Sequence, residues 1–160
     1  MGIEAGARRE GEAALKLTYR ARGRIAELAL APPAAPLRTD GLWRTTCFEA
    51  FLKPESGQGY VELNFAASGE WAAYGFAGYR DGMAALEMPI PRIETRREHE
   101  LLELEVAIDL TGVLPPGPCR LALSAVIEEA SGAKSYWALA HADGRPDFHH
   151  DAAFAARLPG

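Results

Sequence analysis

Residues 41–54 read GLWRTTCFEAFLKP, and the way they alternate decides the fold. Counted by twos, Phe48, Ala50 and Leu52 fall on one side, while Trp43, Thr45, Cys47, Glu49 and Phe51 fall on the other. A period of two is that of a β-strand, whose successive side chains point to opposite faces. The first set is an ordinary core face. The second mixes two aromatics, a thiol and a carboxylate, which suits neither a plain core nor a plain solvent face.

The same period recurs outward from this stretch. ALKLTYR and RIAELAL predict two strands joined across ARG, and APPAAPLRTDG (31–41) predicts a stiff extended connection, because its three prolines fix φ and lack donors. After the turn PESGQG comes YVELNFA, with Val61, Leu63 and Phe65 on the core side and Tyr60, Glu62 and Asn64 opposite. SGE turns into WAAYGFAGY. ALEMPIPRIETR is demoted to an edge or irregular strand by Pro89 and Pro91. ELLELEVAID alternates most cleanly, with Leu102, Leu104, Val106 and Ile108 on one side, although Leu101 and Leu110 leave a helical reading open. CRLALSAVIEE and KSYWALAH close the series, and DAAFAARL reads as one helical turn or a last strand. Short strands spaced by Gly, Pro and Asp predict an all-β chain: one antiparallel β-sandwich of jelly-roll type over residues 1–160, with residues 1–10 flexible.

Composition narrows the function. The chain has 160 residues, 48% of them hydrophobic and 24% charged, enough for one domain with a real core. A net charge of −5 gives no general attraction to nucleic acid or to anionic membrane surfaces. MGIEAGARREGEAAL has acids and no apolar signal core, and no apolar run approaches the ~18 residues that span a bilayer. A cytoplasmic setting follows as the expectation. There Cys47 and Cys119 stay reduced and serve as small buried hydrophobes.

Trp43, Glu49 and Asn64 fall by parity on the sheet faces turned from the core, and Trp137 shares a face with Leu139 and His141. Tryptophan on such a face marks a surface made to be covered. Flat indoles suit the C–H faces of a sugar ring, and carboxylate and amide groups suit its hydroxyls. The competing reading is a second core layer in which the indoles are buried and Glu49 is hydrogen-bonded.

LWRTTCFEAFLKP, GYVELNFAASGEWAAYGFAGYRDGM and SYWALAHADGRPDFHHDAAFAARL together resemble the bacterial DOMON-like proteins, whose fold is similar to the family 9 carbohydrate-binding modules (CBM9). The resemblance runs from about residue 10 to 158 and implies a β-sandwich that holds a ligand between aromatic rings. CFEAFL resembles the family 9 strand that supplies an acid, which implies a contact role for Glu49. VELNFAASGEW resembles the strand and turn after it, which implies Asn64 and Trp71. Trp43 and Trp137 are the candidate stacking rings. Family 9 modules often carry structural calcium, and no segment here has a clear calcium-loop pattern.

HADGRPDFHH gathers His141, Asp147, His149 and His150. If the chain is extended, the adjacent His149 and His150 point in opposite directions, so they do not share one metal. His141 is assigned instead, with Glu49 and Asn64, to the hydroxyls of the ligand, and Asp147 and His149 to the rim of the ligand face, with Arg80 from GYRDGM. No nucleophile elbow, phosphate loop or HExxH pair is present. The expected function is thus non-catalytic binding of a small carbohydrate, with no cofactor and no metal. The rivals are a haem or redox DOMON module, with Met83 and His141 as ligands, and an enzyme acting on a small carbohydrate-like substrate. Edge strands offer a route to a homodimer.

Overall fold

The computed structural model describes residues 1–160. Eleven strands form two antiparallel sheets that pack as a β-sandwich. The first sheet has the order β1 (Gly2–Arg9), β2 (Ala14–Arg22), β8 (Leu101–Asp109), β7 (Arg92–Arg97). The second runs β10 (Lys134–Ala138), β9 (Cys119–Glu128), β3 (Cys47–Pro54), β4 (Tyr60–Phe65), β5 (Trp71–Phe76), β6 (Ala84–Ala85). β11 (Ala156–Leu158) also pairs with β9, beyond the end of β10. Three single 3₁₀ turns are the only helical pieces, and no helix is long and apolar enough to cross a membrane.

Alternation places the main core as expected. Phe48, Ala50 and Leu52 of β3 and Val61, Leu63 and Phe65 of β4 face Leu15, Leu17 and Tyr19 of β2 and Leu102, Leu104 and Val106 of β8. Such side chains each contribute roughly 1.5–3 kcal/mol on burial. The first sheet turns its other face to water and lines it with ion pairs, Lys16 to Glu105 and Arg20 to Glu103. The prolines of ALEMPIPRIETR divide it into the two-residue β6 and the edge strand β7. DAAFAARL supplies both a 3₁₀ turn (Asp151–Ala153) and β11.

Three local expectations are corrected. RIAELAL is no strand: β2 runs on to Arg22, and Ile25–Glu27 form a 3₁₀ turn that buries Ile25 and Leu28 three residues apart. GLWR does not open β3. Gly41 sits at φ 79°, where a side chain is strained, and the 3₁₀ turn Leu42–Arg44 brings the chain round to begin the strand at Cys47. Residues 1–10 are not a loose tail, since Gly2–Arg9 pair along the whole of β2 while Ile3, Ala5 and Ala7 pack on the core.

Candidate ligand cavity on the second sheet

The outer face of the second sheet is an apolar surface with a polar island. Register puts Ser124, Glu49, Asn64 and Ala72 in one cross-strand row, and Ala122, Phe51, Glu62 and Tyr74 in the next. On the other side of the island stand Tyr136, Val126 and Cys47. Residues 139–155, which connect β10 to β11, cover part of this face. Their Phe154 and Ala153 join Phe51, Tyr60, Phe76 and Leu42 in a second small core, with Phe148 and Trp43 packed against it. Tyr60 and Phe76 stack with centroids 4.8 Å apart, and His149 lies edge-on to Phe51 at 5.0 Å.

Where that covering stops, a cavity of about 330 Å³ remains. Trp43, Phe76, Tyr136 and Phe148 supply aromatic walls, Arg80 and Met83 stand at one side, and Glu49, Glu62 and His149 are the remaining polar lining. A groove of about 640 Å³ elsewhere, between the Pro-rich segment and β7, is larger, but it contains no aromatic ring and no carboxylate. Size does not select the site; chemistry does.

The polar island is densely bonded. Glu49 is 2% exposed and accepts a hydrogen bond from Ser124 Oγ at 3.0 Å. Burial pushes its carboxyl up to about 8; the charge of Glu62 adds to this and the Ser124 hydroxyl opposes it. Glu62, 4% exposed, accepts from Asn64 Nδ2 at 2.9 Å. Burial raises its carboxyl too, against the Asn64 hydrogen bond and the Arg80 charge. Asn64 is fully buried, and its Oδ1 has no donor.

His149 closes the floor on the other side. Tyr60 Oη accepts from the Arg80 backbone N–H at 3.1 Å and shares a hydrogen bond of 2.7 Å with His149 Nδ1. His149 Nε2 faces Glu62 Oε2 at 3.6 Å. Burial, with Arg80 nearby, lowers His149 to about 4, so the ring is neutral near pH 7. Arg80 adopts φ 50°, rare for a residue with a side chain. Its guanidinium donates to Asp147 Oδ1 at 2.7 Å, and Tyr79 Oη donates to the other oxygen of Asp147. Partial burial works to raise the Asp147 carboxyl, but these hydrogen bonds hold it below its ordinary value.

Five of the sequence candidates meet around the cavity. Trp43, Glu49, Arg80 and His149 line it, and Asn64 bonds the lining Glu62. Asp147 is one step removed, holding Arg80 and the His149 backbone N–H. His141 is exposed, its ring 6.2 Å from that of Phe148. Two indoles are elsewhere. Trp71 is buried in the main core and donates from Nε1 to Pro36 O, with the Arg38 guanidinium over its ring. Trp137 pairs with Ala125, a main-core residue, and packs on that core, so its neighbour Tyr136 takes the cavity side.

Glu62, Tyr136, Phe76 and Phe148 escaped the sequence reading as site residues. Glu62 shares Asn64's parity and was visible by that signal. Phe148 had none, because a loop supplies it. Met83 lines the cavity and His141 does not. No group of three or more His, Cys, Asp or Glu side chains is gathered as a metal would require.

The sequence matches no family model and no curated protein. The fold is similar to that of several solved structures. A Bacteroides uniformis protein provisionally described as carbohydrate-binding is similar over 99% of this chain and 79% of its own, with TM-score 0.65 and 14% identity. A CBM9 module of Caldicellulosiruptor kristjanssonii, solved with glucose, gives TM-score 0.53 at 10% identity over 99% and 77%. The structure with cellotriose gives 0.58 at 11% over 99% and 75%. At these identities the likeness is one of fold: an antiparallel β-sandwich of the CBM9 kind.

Proposed function

We propose that this domain binds a small carbohydrate, without catalysis, in the cavity on the outer face of its second sheet. The observation that carries the reading is a hollow with four aromatic walls around two buried carboxyl groups. Aromatic rings meet the C–H faces of a sugar, while the floor bonds its hydroxyls. The fold it shares with modules solved with glucose and with cellotriose supports the same reading. Trp43 and Tyr136 are the stacking rings in this proposal, and Glu49, Glu62 and His149 the hydroxyl partners. Asn64 and Asp147 position Glu62 and Arg80, and His141 lies at the outer rim.

The finer assignment is also ours: a bacterial DOMON-like protein, cytoplasmic, working without haem or metal. Purified protein that shows a Soret band, or metal by elemental analysis, refutes that part. The binding test is a thermal-shift screen across mono- and disaccharides. At least one sugar raises the melting temperature, and Glu49→Ala abolishes that rise while remaining folded. If no sugar shifts the melting temperature, the reading falls. One observation favours a hydrolytic alternative: Glu49 holds a proton near neutral pH beside a second carboxyl. Release of nitrophenol from aryl glycosides, lost in Glu49→Gln, would establish it.

A further inference from the structure

The floor of the cavity has too many acceptors. One oxygen of Glu49 takes the Ser124 hydroxyl and one of Glu62 takes an N–H of the Asn64 amide. Asn64 Oδ1, on the same face and directly across the strand pair from Glu49, is buried without a donor. His149 Nε2, on a neutral ring, faces Glu62 Oε2 at 3.6 Å, too far for a direct hydrogen bond.

Charge is unbalanced as well. Buried carboxyl groups in folded proteins are paired with cations or hold a proton instead; neither Glu49 nor Glu62 has a Lys or Arg within salt-bridge distance, and the empty site keeps a proton on Glu49 in place of one. Arg80 is the only cation lining the cavity, and Asp147 already neutralises it. Around this floor stand the rings of Trp43, Phe76, Tyr136 and Phe148, whose π-faces attract a positive group. What is missing is a compact cation with several donors and no acceptor, which describes an ammonium.

We propose that the ligand carries a protonated amine, which seats on the floor against Glu49 and Glu62 while its hydroxylated ring lies among the aromatic walls: the ligand is an amino sugar. The inference rests on the sugar-binding reading and sharpens it to a substrate class. Binding has a proton consequence. The groups that face or influence Glu49 are Tyr19 of β2, Cys47 of β3, Glu62 of β4, Ser124 of β9, Arg80 after β5 and His149 before β11. Empty, Glu49 keeps its proton near pH 7; an ammonium beside it favours the carboxylate, and the proton leaves to buffer.

Isothermal titration at pH 7, in two buffers of different protonation enthalpy, tests this. The probes are glucosamine, galactosamine and mannosamine, each against its parent hexose and its N-acetyl form, with cyclohexylamine as an amine without hydroxyls. One amino sugar binds at least about tenfold more tightly than its two neutral counterparts, the size of one charge-assisted hydrogen bond, and releases a proton. Glu49→Gln, which keeps the shape and the Ser124 contact, removes the proton release and narrows the ratio; its melting curve confirms that it folds. Hexoses that bind as tightly as the amino sugars, with no proton released, overturn the ammonium while the sugar reading stands. Cyclohexylamine that equals the best amino sugar overturns the sugar part instead. Binding by none of the probes overturns the inference.

Discussion

Glu49 shows how one residue can be fixed by the sheet and still be costly to the fold. Its carboxyl moves from 4.5 to about 8 because the folded state buries it. A raised acid favours the folded state fully below its unfolded value, and that advantage is lost as pH rises through the folded value. Wild-type stability therefore declines between pH 4.5 and about 8 on account of Glu49, by at most about 1.4 kcal/mol per pH unit. His149, lowered from 6.5 to about 4, works in the opposite sense: its contribution is present above 6.5 and lost as pH falls toward 4. The two slopes oppose each other up to 6.5, and only that of Glu49 remains above it. Glu49→Gln is thus expected to gain on wild type as pH rises, most visibly from 6.5 to 8 in thermal melts. Parallel curves would mean that Glu49 is not buried as described. The acid itself was legible in CFEAFL. Its partners were half legible, because Ser124 and Glu62 reach it only through strand pairing that no local pattern states.

At the scale of the element, alternation was a sound guide inside strands and misled at their ends. Phe48 to Leu52 and Val61 to Phe65 take the faces that parity assigns. Trp43 reaches the cavity for another reason, since a 3₁₀ turn carries it there. In β10 parity could not choose between neighbours: Tyr136 and Trp137 point to opposite faces, and only the register with β9 says which looks into the cavity. Substitutions separate the two. Tyr136→Ala is expected to weaken sugar binding about tenfold, the loss of one stacking contact, with little change in melting temperature. Trp137→Ala is expected to cost about 2 kcal/mol of unfolding free energy in urea, from lost apolar burial, and to leave affinity near wild type. The reverse pattern would return the site to Trp137. RIAELAL failed differently. Its apolar residues suit a strand, but Ile25 and Leu28 are buried together on one side of a tight turn, a spacing of three that alternation misreads.

Across the whole molecule, the two sheets play unequal parts. The first has one buried face and one solvated face; the second is buried on both, with the main core behind it and the smaller core in front. β3 and β4 serve both cores through alternate side chains. Leu63→Ala should therefore lower stability by about 2–5 kcal/mol in denaturant titration, while the cavity on the opposite face keeps its sugar affinity. A variant that loses both together would show the two faces to be coupled. Open strand edges remain in both sheets, at β1 and β7 in the first and at β6 and β10 in the second, and a homodimer would have to pair through one of them. Sedimentation velocity at rising concentration reads that association, and a single monomer boundary throughout rejects it. The sandwich as a class was plain from the sequence, because short alternating strands have few other homes. The second core was not, because the side chains that cover it, Phe148, Ala153 and Phe154, come from residues 139–155, which have no periodicity.

That connection leaves β9 at the end of β10 and returns to β9 at β11. Both of its feet stand on one strand, so its middle can vary in length and sequence without disturbing the pairing of any other strands. Pro146, Phe148 and His149, which it hangs over the hollow, are in effect an exchangeable visor. A relative with a different stitch between the same two anchor points would keep the sandwich and acquire another taste.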